Sequence, residues 1–260
     1  MALAVDDDER MPMPTILREN RADRVWVRLH RPDARNAIDK AMVDELHGVC
    51  DELERDPRIL LIAGGDGVFA GGADIAELRD RTPADALEGI NSRLFDRIAR
   101  LPMPVIAAVD GWALGGGAEL AYAADLRIAS DRARFGSPEP SLGIVPAAGA
   151  TWRLPRLVGE PLAKEMLLAG RVIGADEALA AGLVTAVHPP ATLDAAADAL
   201  ADRIAARDPL AIRHTKRLID DPTDDPRAAA DAAQAECFGS PAKHERMTAW
   251  LDQRLERKNA

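Results

Sequence analysis

Two glycine-rich turns and two glutamates are the residues of this chain that could together perform chemistry. Glycines 115–117 follow a strand-like apolar run and precede a segment predicted to be helical from near Glu119. Consecutive glycines let another molecule approach the main chain closely, and the free N–H groups at a helix N-terminus attract negative charge. A carboxylate in the apolar surroundings of Glu119 must be either well partnered or chemically used.

A second turn, within segment 69–75, repeats this order of strand, glycines and helix start. If the two turns lie side by side in one parallel sheet, the N–H groups of Ala73 and Gly116 could point at one oxygen atom. Two such donors stabilise an enolate or a tetrahedral oxyanion, and losing one raises the barrier by about 3 kcal/mol. We therefore predict that Ala73 and Gly116 form an oxyanion hole.

Glu139 is the second candidate acid or base, because it stands between Pro138 and Pro140 in a loop that also contains apolar residues. A carboxyl group fixed and partly desolvated there should have a raised pKa, which suits general acid–base work. Considered alone, Glu119 could instead be a helix N-terminal acid stabilised by the dipole, and Glu139 an exposed loop acid.

The segments that must position these residues alternate between strands and helices. Apolar runs predict strands at 24–30 (one face buried), 59–63, 105–109, 126–129 and 183–187. Helical spacing predicts helices from Asp39, from Thr82-Pro83 to about Leu101, at 162–168 and at 175–181. This alternation favours an α/β fold with a largely parallel sheet. From Leu193 onward only helices are predicted, at 193–206, 209–220, 226–238 and 241–257.

Composition excludes several classes of protein. The formal net charge of -10 over 260 residues counts against a nucleic-acid partner. The five histidines and two cysteines have no metal-ligand spacing, so we expect no metal site. No apolar run is long enough to span a membrane, and the acidic start of the chain does not resemble a targeting signal. We expect a cytoplasmic protein.

The motifs taken together resemble the enoyl-CoA hydratase/isomerase (crotonase) family over about 25–258. The resemblance is carried by RNAID and EL within 35–46, FAGGADIAEL at 69–78, the glycine-triplet segment 104–129, and segments 135–159 and 170–184. It implies a spiral of ββα repeats with a flexible N-terminus at 1–14, a core containing the active site at 15–192, and a C-terminal helical oligomerisation region at 193–260. Family members form trimers, often paired into hexamers.

The same resemblance assigns the site residues. It implies that Ala73 and Gly116 are the oxyanion-hole donors and that Glu119 and Glu139 are catalytic. The CoA moiety of the substrate would be held, largely through main-chain contacts, by Ala34, Ala70, Ala73, Asp74 and Ile75.

The implied reaction is hydration of an α,β-unsaturated acyl-CoA to a 3-hydroxyacyl-CoA. Glu119 would act as the base toward water and Glu139 as the proton donor to the α carbon. Coenzyme A enters with the substrate, and no metal or redox cofactor is needed. Many sister enzymes lack one or both glutamates, so their presence favours hydration over a double-bond isomerase, a thioester hydrolase or a decarboxylase. Acyl chain length and metabolic pathway, fatty-acid oxidation among several, stay open.

Some residues of this chain depart from the family pattern. Ala147, Ala150 and Trp152 stand where hydratases more often have Gly, Gly and Gln, and Pro140 replaces a β-branched residue. Trp152 and Pro140 therefore leave the acyl specificity open.

Two functions of other classes are alternatives. Some family members bind RNA, which the acidic net charge of this chain disfavours. Residues 65–70 imitate a GxGxxA dinucleotide turn, which would suit a nicotinamide dehydrogenase.

Overall fold

The computed structural model of this chain describes residues 13–221 and 223–259. The predicted flexible N-terminus, 1–14, lies outside the described residues except for Met13 and Pro14, which are exposed. Its flexibility stays a prediction.

The described residues form ten strands in two sheets. These strands are β1 Ile16–Asn20, β2 Arg24–Leu29, β3 Ile59–Ala63, β4 Val68–Ala70, β5 Val105–Val109, β6 Trp112–Leu114, β7 Leu126–Ser130, β8 Arg134–Gly136, β9 Ile173–Gly174 and β10 Val187–His188. The larger sheet has the order β1-β2-β3-β5-β7-β10 and is parallel except for β1. The smaller sheet has the order β4-β6-β8-β9 and is parallel except for β9.

Helices connect and cover these strands. Within the described residues they are α1 Lys40–Arg55, α2 Ile75–Asp80, α3 Pro83–Glu88, α4 Ile90–Ala99, α5 Gly116–Ala123, α6 Ala150–Val158, α7 Glu160–Leu168, α8 Ala175–Ala180, α9 Leu193–Ala205, α10 Pro209–Asp220, α11 Pro226–Phe238 and α12 Pro241–Asn259. Short 3-10 helices occupy Pro32–Ala34, Glu139–Leu142 and Pro190–Thr192. None of the described helices is long and apolar enough to cross a membrane.

The chain repeats one structural unit three times. A strand of the larger sheet (β3, β5 or β7) is followed by a short strand of the smaller sheet (β4, β6 or β8) and then by a helix (α2, α5 or α6). This order confirms the predicted spiral of ββα repeats. Since β4, β6 and β8 are parallel neighbours, the turns that follow them meet at one edge of the smaller sheet.

The core differs from the prediction at the second strand. Val25 and Val27 pack in the main core, as expected, but Trp26 is also buried, at 6% exposure. The prediction of one buried face is wrong because α9 covers the other face, where Leu193 and Ala197 pack with Trp26. Strand β1 was not predicted. Ile16 is its only buried residue, so its sequence has no alternation of apolar and polar residues that would indicate a strand.

Several predicted element boundaries also differ. The predicted helix from Thr82-Pro83 to Leu101 is two helices, because Gly89 adopts a left-handed φ of 63° between α3 and α4. Helix α5 begins at Gly116 rather than near Glu119, so Glu119 lies one turn inside it. Only residues 187 and 188 form the strand predicted at 183–187. Helix α6 was not predicted, and it contains Pro155.

The helical C-terminus is confirmed as α9 to α12. Helix α9 packs on the larger sheet, whereas the apolar side chains of α12 are exposed in the single chain. Met247, Trp250, Leu251 and Leu255 are 50%, 58%, 54% and 59% exposed. The role of this region in oligomerisation stays a prediction.

Candidate active site

The two glycine-rich turns lie in contact, as the sequence predicts. Strands β4 and β6 pair in parallel, with Ala70 opposite Ala113, so the turns that follow them leave the sheet together. A Cβ atom built on Gly116 would lie 3.3 Å from the Ala73 nitrogen. A Cβ atom on Gly72 would lie 3.9 Å from the Gly116 nitrogen. The structure therefore brings the two predicted oxyanion donors together.

Both of these N–H groups are free to bind a ligand. Gly116 is the first residue of α5, so its N–H has no acceptor within the helix. Among the described residues, neither the Gly116 N–H nor the Ala73 N–H has a hydrogen-bond acceptor. Gly117 allows this close approach, because a Cβ atom there would lie 2.3 Å from the Ala70 carbonyl oxygen.

Glu119 is buried beside this turn and is well partnered. Its side chain is on α5, and the residue is 3% exposed. Its Oε1 accepts hydrogen bonds from the Ala148 N–H at 2.8 Å and the Ala150 N–H at 3.0 Å, at the start of α6. Burial raises the pKa of Glu119, while these N–H groups and the Arg153 guanidinium favour the ionised form.

Glu139 is buried next to the first glycine of the triplet, at 7% exposure. It is the first residue of the 3-10 helix Glu139–Leu142, and its Oε1 lies 2.7 Å from the Cβ position of Gly115. Its Oε2 has no hydrogen-bond partner among the described residues. Burial, with a smaller contribution from the Glu119 charge, raises the pKa of Glu139 to about 7.

The two carboxyl groups therefore differ in environment although they share one site. Glu119 receives two N–H groups and lies near a cation, whereas Glu139 has one unpartnered oxygen and a pKa near neutrality. Two titratable groups whose surroundings push their pKa values apart are suited to separate base and acid roles. This arrangement fits Glu119 as the base and Glu139 as the protonated donor.

The residues predicted to hold CoA lie in two paired segments beside the oxyanion turn. Segment 34–38 runs next to segment 70–74: the Gly71 N–H donates to the Arg35 carbonyl and the Ile38 N–H to the Gly72 carbonyl. This pairing brings Ala34, Ala70, Ala73, Asp74 and Ile75 together. Ile75 is 56% exposed, whereas Ala70 is completely buried, so the Ala70 side chain is closed to a ligand.

Asp74 also has a structural role within these segments. Its side chain caps α2 by accepting the Ala76 N–H at 3.0 Å, and it accepts a hydrogen bond from the Arg31 guanidinium at 3.1 Å. Removing this carboxylate would loosen α2 as well as any ligand contact.

A family model described as enoyl-CoA hydratase/isomerase matches residues 21–260. The chain belongs to the enoyl-CoA hydratase/isomerase family. It is 37% identical over 256 residues to the short-chain-enoyl-CoA hydratase of Clostridium acetobutylicum, covering 94% of this chain and 97% of that protein. It is 41% identical over 235 residues to the crotonyl-CoA hydratase of Syntrophomonas wolfei, covering 87% and 90%.

A solved member of the family has the same fold. The enoyl-CoA hydratase of Bacillus anthracis aligns with a TM-score of 0.88 and 31% identity, covering 92% of this chain and 96% of that one. The predicted membership of the enoyl-CoA hydratase/isomerase family and the predicted crotonase-like fold are therefore confirmed.

The dinucleotide interpretation of residues 65–70 is wrong. Gly65 and Val68 form a reciprocal pair of backbone hydrogen bonds, at 3.2 Å and 3.0 Å, that closes a tight turn between β3 and β4. A strand, rather than the N-terminus of a helix, follows this turn. The helix N–H groups that bind a pyrophosphate in the dinucleotide motif are therefore missing from this turn.

Sequence reasoning missed three polar residues around the site. Asn91 of α4 has a buried Oδ1 without a partner among the described residues, and its Nδ2 lies 3.6 Å from the Cβ position of Gly116. The Tyr122 hydroxyl is buried and unpartnered within the described chain, and burial followed by the charges of Glu119 and Glu139 raises its pKa. Arg153 contacts the turn that binds Glu119. Tyr122 could have been found from the sequence, because it lies three residues after Glu119 in the predicted helix and therefore on the same side of it.

Trp152, which departs from the family pattern, faces a groove between α6 and the C-terminal helices α9 and α10. The groove has a volume of about 1120 Å³, and Tyr122, Trp152 and Ile212 are among its lining residues. Tyr122 lies one helical turn from Glu119 on α5, so the groove comes nearest to the candidate site at this residue.

Proposed function

We propose that this chain is an enoyl-CoA hydratase that adds water to a trans-2-enoyl-CoA to give a 3-hydroxyacyl-CoA. One observation carries the proposal: two free backbone N–H groups in adjoining turns lie beside two buried glutamates with different partners. Its relatives named short-chain-enoyl-CoA hydratase and crotonyl-CoA hydratase support the same reaction.

The oxyanion donors polarise the substrate. The thioester carbonyl oxygen accepts hydrogen bonds from the Ala73 and Gly116 N–H groups, which withdraws electrons from the conjugated double bond. The β carbon then becomes electrophilic, and negative charge develops on the same oxygen. Backbone donors fixed in a water-poor site stabilise that charge without reorganising during the reaction.

The two glutamates move the protons. Glu119 accepts a proton from a water molecule held between the carboxyl groups, and the oxygen of that water bonds to the β carbon. The resulting enolate takes a proton at the α carbon from Glu139. Both carboxyl groups then return to their starting states by proton exchange with solvent. The reaction changes no oxidation state overall, so no step calls on a redox group, and in this proposal the Ala73 and Gly116 N–H groups polarise the carbonyl.

The substrate's CoA moiety lies along the paired segments 34–38 and 70–75. Main-chain groups near Ala34, Ala73 and Asp74 bind it, and the exposed Ile75 side chain covers it. The enzyme acts in the cytoplasm as a homotrimer or as a hexamer of two trimers. The exposed apolar side chains of α12 support assembly through region 193–260.

The test is loss of the ultraviolet absorbance of the conjugated thioester when crotonyl-CoA is added. We expect the wild-type chain to remove this absorbance and E119Q and E139Q each to lose turnover while binding the CoA ester. E160Q, at an exposed position on α7, is the matched control and should keep full activity. Full activity in E119Q or E139Q would refute the assignment. Conversion of a 3-enoyl-CoA without hydration of crotonyl-CoA would identify an isomerase instead.

A further inference from the structure

The Arg153 side chain connects two elements next to Glu119. Its Nη1 donates to the Ala148 carbonyl at 3.1 Å, and its Nη2 donates to the Asp96 carboxylate of α4 at 2.5 Å. The side chain is only 14% exposed although it carries a charge. A guanidinium with two fixed acceptors holds both partners in a defined geometry.

The turn that Arg153 contacts is also the turn that binds Glu119. The Ala148 residue donates its N–H to Glu119 and accepts a hydrogen bond from Arg153 through its carbonyl oxygen. Ala150, two residues on, supplies the second N–H to the same carboxylate oxygen. The guanidinium therefore fixes the orientation of the backbone that fixes Glu119.

Gly149 makes room for this contact. It has a φ of 145°, and a Cβ atom there would lie 2.3 Å from Nη1 of Arg153. A side chain at position 149 would force the guanidinium away from the turn, so the glycine and the arginine belong to one arrangement.

Charge points to the same role. Titratable groups from three elements lie near Glu119: Arg153 of α6, whose charge acts on Glu119, and Tyr122 of its own helix and Glu139 of the 3-10 helix, whose pKa values the Glu119 charge raises. Asp96 of α4 lies behind Arg153. Of these four groups only Arg153 is cationic, so its charge adds to the Ala148 and Ala150 N–H groups in favouring the ionised Glu119 against burial.

We infer that Arg153 is a positioning residue for Glu119, holding the 148–150 turn in the orientation that binds the carboxylate and supplying a positive charge that favours its ionised form. The inference rests on the proposed function for its kinetic consequence, because only an ionised Glu119 can accept a proton from water. Its structural content, that Arg153 controls the titration of Glu119, does not depend on turnover.

The decisive variant is R153Q, which removes the charge. We expect the acid limb of its kcat/KM profile to move up by about one pH unit, with kcat at neutral pH about tenfold lower and KM unchanged. R153K keeps the charge but lacks the planar fork that reaches Ala148 and Asp96 together. The acid limb of the R153K kcat/KM profile should lie at the same pH as in wild type, while the kcat of R153K falls. R156Q, on an exposed side chain of the same helix, is the matched control and should match wild type in all three quantities.

A second readout separates this inference from the proposed function. In protein labelled with ¹³C-carboxyl glutamate, the Glu119 resonance is assigned with E119Q and titrated in wild type and R153Q. A higher Glu119 pKa in R153Q supports the inference even if crotonyl-CoA is not hydrated. An unchanged Glu119 titration in folded R153Q overturns it, even in an active hydratase. If R153Q does not fold, R153K decides, and a wild-type kcat in R153K overturns the positioning role.

Discussion

The backbone nitrogen of Ala73 lies 3.3 Å from the point where Gly116 would carry a Cβ atom. The two residues are 43 positions apart in the chain and meet because β4 and β6 are parallel neighbours. A methyl group on Gly116 would crowd the Ala73 N–H, which is the other predicted oxyanion donor. The glycine at this position therefore serves the site, since an alanine would suit the start of α5 at least as well.

Replacing Gly116 by alanine should therefore separate activity from stability. We expect G116A to lower kcat by about 100- to 1,000-fold, the range for losing an oxyanion donor, because the carbonyl oxygen can no longer reach both N–H groups. Unfolding by urea should show little loss of stability. Steady-state hydration of crotonyl-CoA and a urea titration check the two halves of the prediction.

Gly48 provides the control for that substitution. It is an exposed position inside α1, and a Cβ atom there would meet nothing within 4 Å. G48A should leave kcat unchanged and stabilise the chain by about 0.5–1 kcal/mol. If G116A hydrates crotonyl-CoA as fast as G48A does, Gly116 is not an oxyanion donor.

The pH dependence of turnover should show two limbs. Glu119 must be ionised and Glu139 must be protonated, so kcat/KM should rise as Glu119 loses its proton and fall as Glu139 loses its proton. Because the pKa of Glu139 is about 7, the alkaline limb should begin near neutrality. E139Q should show no such limb in its residual activity. An alkaline limb that persists in E139Q would assign it to another group.

Burial of Glu139 should also make stability depend on pH. Its folded pKa of about 7 is above its ordinary value of 4.5, so its contribution to folding is fully present below 4.5 and is lost as the pH rises through 7. At pH 8 the buried charge destabilises the fold by up to about 3 kcal/mol, and E139Q should be more stable than wild type by this amount.

The difference between the two proteins should vanish near pH 4.5, where both carry an uncharged group at this position. Urea unfolding of wild type and E139Q from pH 4.5 to pH 8 measures it. The pH dependence of stability in E119Q provides a comparison. It should differ less from wild type, because two N–H groups bind Glu119 and offset part of the free-energy cost of burying its charge. A stability difference that is constant across this pH range would show that Glu139 does not titrate in the folded protein.

The sequence predicted those parts of the fold whose signal is local. Strands β3 and β5 were predicted with their observed bounds, because each is a continuous apolar run between proline or glycine residues. Strand β1 was missed because one buried residue gives no pattern. The second buried face of β2 was missed because α9, which covers it, is more than 160 residues away along the chain.

The candidate site likewise contains residues that the sequence predicted and residues that it missed. The two glycine turns and both glutamates stood in recognisable motifs, and the structure gathers them. Arg153 lies in one of these motifs, but its position depends on a contact with Asp96, 57 residues earlier. Sequence patterns predict the local structure around a residue. They do not predict which distant residue its side chain contacts, because that depends on how separate elements pack together.

We predict that chains assemble through the C-terminal region. Trp250 and Leu255 lie on the exposed apolar face of α12, so acidic side chains there should prevent a neighbouring chain from covering it. W250E/L255E should elute as a single 27.9 kDa chain, whereas wild type should show the mass of three or six chains by light scattering. D252A, on the same helix, is the control. A wild-type mass in W250E/L255E would place the contacts elsewhere.

The last prediction concerns the acyl chain. Trp152 is 39% exposed and lines the same groove as Tyr122, which lies one helical turn from Glu119. An acyl chain that extends past Tyr122 would meet the indole ring, and a smaller side chain would leave more room. In W152Q, kcat/KM for trans-2-decenoyl-CoA relative to crotonyl-CoA should rise by at least about tenfold, since accommodating even one additional methylene in an apolar pocket improves discrimination by about that factor. W112Q alters another half-exposed tryptophan, on β6, and should leave the ratio unchanged. An unchanged ratio in W152Q would mean that the acyl chain leaves the site by another route.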